Sequence, residues 1–147
     1  MTETTDWDRR FLALAAQVAT WSKDPSTQVG AVIVDSERRI VSTGFNGFPR
    51  GIADDADCLN DRAKKYRMII HAELNAILFA QRDLTGCIIY THPMPPCAQC
   101  ASAIIQSGIN KVVTITPNVA LNERWGSDWE IAWKMYQQAG IAFLLLR

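Results

Sequence analysis

Residues 69–78 read I-I-H-A-E-L-N-A-I-L. Apolar side chains surround this stretch on every side, so it predicts a buried helix. Yet His71 and Glu73 stand at its start, and a carboxylate is costly to bury without a partner. Working outward, residues 7–21 carry Phe11, Leu12, Leu14, Ala15 and Val18 at helical spacing, with Asp6 as the cap. Residues 23–28 form a turn around Pro25. Two strands follow, 29–35 and 40–45, joined across the polar turn S-E-R-R. Residues 46–65 form a long polar segment rich in Gly, Asp and Arg, of the kind that is functional or mobile in compact domains. Beyond the 69–78 helix, 87–91 reads as a strand, 97–106 as a helix and 111–116 as a strand. Then 127–139 reads as a helix ended by Gly140, and 141–146 as a last apolar strand. A hairpin followed by alternating helices and strands predicts a mixed sheet of about five strands with helices on its faces, a three-layer α/β/α fold.

The chain has 147 residues, 48% hydrophobic and 20% charged. That is the composition of an ordinary globular protein, and residues 1–147 are expected to form a single domain with a substantial core. Fifteen basic residues balance fifteen acidic ones, so the charge total supports neither a nucleic-acid partner nor a membrane surface. The start, M-T-E-T-T-D-W-D, is polar and acidic, unlike a signal or transit peptide. No apolar run approaches the roughly 20 residues that span a bilayer. Four cysteines, Cys58, Cys87, Cys97 and Cys100, are then expected in a reduced, cytoplasmic setting (a host's cytoplasm, were the source viral), where C-x-x-C means metal or redox chemistry.

The partner for Glu73 lies in P-P-C-A-Q-C, residues 95–100. Cys97 and Cys100 are spaced so that both sulfurs face one point at the first turn of a helix, after two prolines where a missing N–H is least costly. The positive end of that helix favours thiolates. Two thiolates and the imidazole of His71 make a three-ligand zinc site, with a fourth position left for water, as in catalytic sites. Glu73 is then the proton carrier for that water, not a ligand. Either half alone is weak: C-x-x-C also describes redox pairs and structural knuckles, and H-x-E occurs on many surfaces. Together, in this order, they form the signature of zinc-dependent nucleobase deaminases. His92 reads as a structural or rim residue, Cys87 as strand core and Cys58 as a loop thiol.

S-K-D-P-S-T-Q-V-G-A-V-I-V (22–34), G-F-N-G-F-P-R-G (44–51), H-A-E-L-N-A-I (71–77) and P-P-C-A-Q-C-A-S-A-I-I-Q-S-G-I (95–109) together resemble the deoxycytidylate (dCMP) deaminases, over nearly the whole chain. The zinc motifs alone also fit cytidine or tRNA-adenosine deaminases, and a non-catalytic zinc module is the remaining alternative. The resemblance implies a cytidine-deaminase-like fold and zinc-dependent conversion of dCMP to dUMP and ammonia, feeding thymidylate synthesis. It also implies a homohexamer activated by dCTP and inhibited by dTTP, each carried with Mg²⁺. For the substrate it points to Ser22, Lys23, Asn46, His71, Ala72, Pro96, Arg124 and Trp125. Of these, Ser22 and Lys23 are expected near the 5′-phosphate, and Arg124 and Trp125 on a loop that closes over the nucleotide. The G-F-N-G-F-P-R-G-I-A-D-D segment reads equally as a solvated Gly-Pro turn or as a regulatory loop. The resemblance implies the second, with Asn46, Gly47, Phe48, Arg50, Gly51 and Asp54 facing the effector.

Overall fold

The computed structural model describes residues 4–147; residues 1–3 of the polar N-terminal stretch lie outside them. In chain order the elements are α1 (Asp6–Ala19), β1 (Gly30–Val34), β2 (Ile40–Phe45), α2 (Ala56–Asn60), α3 (Arg62–Met68), α4 (Ala72–Ala80), β3 (Ile88–His92), α5 (Ala98–Gln106), β4 (Lys111–Ile115), α6 (Val119–Ala139) and β5 (Ala142–Leu146). The sheet order is β2-β1-β3-β4-β5. β1 is antiparallel to both β2 and β3, whereas β3, β4 and β5 run parallel. The expected mixed sheet of five strands is therefore present.

Alternation along β1 explains the layers. Ala31 and Ile33 enter a core with Ala72 and Ala76 of α4, Ala101 and Ile104 of α5, and Ala132 and Tyr136 of α6. Val32 and Val34 point the other way, against Phe11, Leu12, Ala15 and Val18 of α1. A strand covered on both faces has no polar side, which is why G-A-V-I-V is a continuous apolar run.

Three local expectations need correction. The cap of α1 is Thr5, not Asp6: Thr5 Oγ1 accepts the Asp8 N–H at 3.1 Å, and the Asp8 carboxylate accepts the Thr5 N–H at 3.0 Å. The polar 46–65 segment is not wholly irregular, because Asp55 caps α2 and Asp61 caps α3. Most consequentially, α6 begins at Val119, eight residues before Ser127, with Asn118 accepting the Leu121 N–H at 2.9 Å. Gly126 hides this in the sequence, yet a single helical glycine costs only about 1 kcal/mol and is tolerated. Arg124 and Trp125 therefore sit on a helix, not on a loop.

The position of α4 depends on a glycine. A Cβ at Gly44 on β2 would overlap the Ala72 carbonyl and the Ala76 N–H, backbone atoms that no rotamer change can move. Gly44→Ala should accordingly destabilise the fold by about 1–3 kcal/mol and displace the N-terminus of α4. Urea unfolding checks the first effect and zinc affinity the second; unchanged values for both would mean that α4 is not held by this close approach.

Candidate active site

α4 and α5 each begin at a residue that carries a metal donor. His71 is the N-cap of α4 and Cys97 the N-cap of α5, both with extended backbone. The His71 Nδ1 atom lies 3.4 Å from Cys97 Sγ and 3.3 Å from Cys100 Sγ, and all three donor atoms fall within 4.8 Å of one another. Tetrahedral zinc with its usual bonds to sulfur and nitrogen sets such donors ~3.6 Å apart, so the set fits zinc. Cys97 Sγ also accepts the Cys100 N–H at 3.4 Å.

The electrostatics ask for a cation. The Cys97 thiol is lowered to about 4 by its hydrogen bonds to Cys100 and His71, against the opposing effect of burial. Cys100 is pushed up, first by the same contact with Cys97 and then by burial. The hydrogen bond with Cys97 raises His71, although burial opposes it. Two thiolates side by side repel, and a divalent ion between them removes that opposition. Glu73, in the first turn of α4, is only 4% exposed. Burial raises its carboxyl to about 7, partly countered by His71, which suits a group that must both take and give a proton at neutral pH.

His71, Glu73 and Cys97 line the floor of a cleft of about 580 Å³, measured with its solvent-open mouth. Of the residues expected at the substrate, Asn46, His71, Ala72, Arg124 and Trp125 line it; Ser22, Lys23 and Pro96 do not. Ser22 is buried, and its hydroxyl donates to the Asn46 carbonyl at 2.8 Å. Lys23 reaches outward to Asp54 at 2.8 Å. Asn46 spends both ends of its amide inside the fold: Oδ1 accepts the Val29 N–H at 2.9 Å, and Nδ2 donates to the Thr27 carbonyl at 2.9 Å. The 22–28 turn instead contributes Asp24, Ser26 and Thr27 to the cleft.

Arg124 bridges the mouth, donating to Ser26 Oγ at 3.2 Å and to the Tyr66 hydroxyl. Among the described residues no carboxylate pairs with it, whereas the other lining cation, Lys65, is bound to Asp24 at 3.0 Å with both side chains buried. Sequence reasoning missed Ser26, Tyr66 and Trp129 as lining residues. It also missed Asp128, which accepts the Ala98 N–H at 2.7 Å. Their partners lie 30 to 98 residues away along the chain, and no local spacing announces them.

A second cleft of about 780 Å³ adjoins the first. Gly47, Phe48, Arg50, Gly51 and Asp54 line it together with Trp21, Lys23, Phe45 and Ile52, and it shares Asp24, Asn46 and Ile69 with the first. Gly47 is bridged to Ile70, the residue before His71, by hydrogen bonds of 3.1 and 2.8 Å.

Residues 5–116 match the model of the cytidine and deoxycytidylate deaminase zinc-binding region. The chain is 50% identical to the uncharacterized deaminase in the luxG 3′ region of Aliivibrio fischeri, over 92% of this chain and 90% of that protein. It is 39% identical to the deoxycytidylate deaminase of Homo sapiens, over 94% of this chain and 78% of that one. Among solved structures, the dCMP deaminase of cyanophage S-TIM5 in complex with dCMP and dUMP superimposes with a TM-score of 0.78 at 20% identity, covering 99% of this chain and all of that one. With its three-donor centre and buried glutamate, this chain belongs to the cytidine and deoxycytidylate deaminase family.

Proposed function

We propose that this chain hydrolyses dCMP to dUMP and ammonia, supplying the precursor of thymidylate. One observation carries the reading: a buried Glu73 lies beside the His71, Cys97 and Cys100 donor set, at the floor of a cleft whose mouth carries the unpaired Arg124. His71, Cys97 and Cys100 would hold a zinc ion, which would supply a water acidic enough to attack near neutral pH. Glu73 takes a proton from the attacking water and delivers it to N3 of the cytosine ring. The water oxygen bonds to C4 in that step; Glu73 then passes the remaining hydroxyl proton to the amine, and as C4=O forms the C4–N bond breaks and ammonia departs. The ring keeps its N3 proton as uracil. Atoms balance: one water enters, one ammonia leaves.

Substrate selection is proposed to lie at the opposite end of the cleft. Arg124, with Ser26 and Tyr66 beside it, presents a guanidinium and two hydroxyls to the 5′-phosphate, a charge-assisted arrangement suited to phosphate oxygens. This replaces Ser22 and Lys23, which face away from the cleft.

Regulation is proposed at the second cleft, where Phe48 stacks on an effector base and Arg50 meets its magnesium-bound triphosphate. The Gly47–Ile70 bridge supports communication, because it ends one residue from His71. A single-domain subunit in a cytoplasmic homohexamer completes the proposal. Leu78 and Phe79, 54% and 52% exposed on α4, offer apolar surface for such contacts.

Three outcomes test this reading. Glu73→Gln should retain zinc while kcat on dCMP falls about 10²–10⁴-fold; substantial turnover in that variant would remove Glu73 as the proton carrier, and wild-type activity that survives complete removal of zinc would remove the metal. In parallel assays of dCMP, CMP and deoxycytidine, dCMP should be preferred, and Arg124→Ala should cut the preference for dCMP over deoxycytidine by roughly 10- to 100-fold, equivalent to the ~1.5–3 kcal/mol of a hydrogen bond to a charged group. A wild type that favours the unphosphorylated nucleoside overturns the choice of substrate. Finally, dCTP with Mg²⁺ should lower the half-saturating dCMP concentration and dTTP should raise it, with both responses lost in Arg50→Ala. Identical saturation curves with and without the triphosphates would end the regulatory proposal.

A further inference from the structure

Two adjacent residues of α6 hold the turn that presents Cys97. Trp129 Nε1 donates to the Pro95 carbonyl at 3.1 Å, and the Asp128 carboxylate accepts the Ala98 N–H at 2.7 Å. Pro96 and Cys97 lie between these two points. Ala98 is the first residue of α5, and the opening N–H groups of a helix have no acceptor within it. Cys97 Sγ meets one of them, from Cys100, and Asp128 meets another. Pro95 and Pro96 bring no N–H groups of their own, so this turn has little internal hydrogen bonding with which to fix its shape.

The same stripe of α6 faces the cleft. Arg124, Trp125, Asp128 and Trp129 are separated by one, four and five residues, a spacing that places them along one side of the helix. Arg124, Trp125 and Trp129 line the cleft, while Asp128 and Trp129 reach the backbone on either side of Cys97.

We infer that Asp128 and Trp129 are positioning residues, a two-point clamp that sets the Cys97 sulfur against His71 and locks the substrate-facing stripe of α6 to the metal ligands. The inference rests on the deaminase reading only in that the His71, Cys97 and Cys100 set holds zinc. Both points of the clamp are hydrogen bonds to backbone. An asparagine at 128 keeps an oxygen that accepts the Ala98 N–H, an alanine keeps nothing, and a phenylalanine at 129 keeps the ring but loses the donor. Groups that orient metal ligands in this indirect way typically change metal affinity by ~10–100-fold when removed.

The test compares wild type with Asp128→Ala, Asp128→Asn and Trp129→Phe. Zinc affinity is read by competition with a chromophoric chelator, and the geometry at sulfur by the thiolate-to-metal absorption of the cobalt-substituted proteins. Steady-state kinetics on dCMP complete the comparison. Asp128→Ala and Trp129→Phe should each weaken zinc binding by roughly 10-fold or more, shift the cobalt absorption, and lower kcat by a larger factor than they raise KM. Asp128→Asn should recover most of the zinc affinity. Unchanged zinc affinity and cobalt spectra, with only KM raised, would overturn the clamp and leave α6 as a substrate wall. So would an Asp128→Asn protein as weak in zinc as Asp128→Ala. If Asp128→Ala fails to fold, Trp129→Phe decides, since it removes the donor and keeps an aromatic side chain, at a smaller loss of packing than an alanine would cause. A wild type that binds no zinc would overturn the metal site and the clamp together, an outcome separate from either of the others.

Discussion

Two cysteine sulfurs and an imidazole nitrogen packed within 4.8 Å of one another impose a demand on the rest of this chain. The donors sit at the N-terminal ends of α4 and α5, two helices on the same face of the sheet. To bring those ends together, the backbone of α4 must press onto β2, and only a residue without a side chain allows it at Gly44. α5 must meanwhile begin at a set distance from α4, which the packing of Ala72, Ala76, Ala101 and Ile104 into one core enforces. Small residues at the inner positions of both helices thus follow from the separation of the metal donors.

The same closeness explains why Glu73 is tolerated. A carboxylate with 4% exposure is unfavourable in its charged form, and burial shifts its carboxyl to about 7. In an ordinary core this would be a defect, relieved by substitution. Here the charge of His71 partly offsets the desolvation, and the residual imbalance leaves a group that exchanges its proton near neutrality. Stability is forgone at the position to which the proposed mechanism assigns proton transfer, the usual relation between strain of this kind and catalysis.

Much of this was legible in the sequence. The five strands and the layering follow from periodicity, because a strand buried on both faces must be apolar throughout; the order of the strands in the sheet does not. The candidate metal donors were legible because their chemistry is local: Cys97 and Cys100 lie within one turn, and His71 stands at a helix start two residues before Glu73. The far end of the cleft was not. Ser26, Tyr66 and Arg124 meet across separations of 58 and 98 residues, and nothing in S-K-D-P-S-T tells a reader that Ser22 and Lys23 turn away while Ser26 turns in. The acidic residues after Gly51 misled for another reason. Asp55 and Asp61 look like a solvated tail, yet each accepts a backbone N–H and starts a short helix.

The wall between the two clefts is built on a buried, hydrogen-bonded ion pair. Asp24 accepts from Lys65 Nζ at 3.0 Å, the Ser26 N–H at 2.7 Å and the Thr27 N–H at 3.2 Å, while Asn46 Nδ2 approaches its second oxygen at 3.3 Å. Removing either member of a buried ion pair leaves an uncompensated charge, a loss of roughly 3–5 kcal/mol, so this wall resists local rearrangement. Rigid elements pass displacement on rather than absorbing it, because packed interiors shift between discrete arrangements instead of deforming smoothly. A ligand that moved Gly47 would therefore act on the first cleft by one of two routes. The Gly47–Ile70 bridge leads along the backbone to His71, and the Asn46 amide leads through Asp24 and Thr27 to the turn that places Ser26 beside Arg124. The first route reaches the His71 end of the cleft and the second the residues proposed to hold the phosphate, so the effector proposed for the second cleft would have two separate connections through which to act.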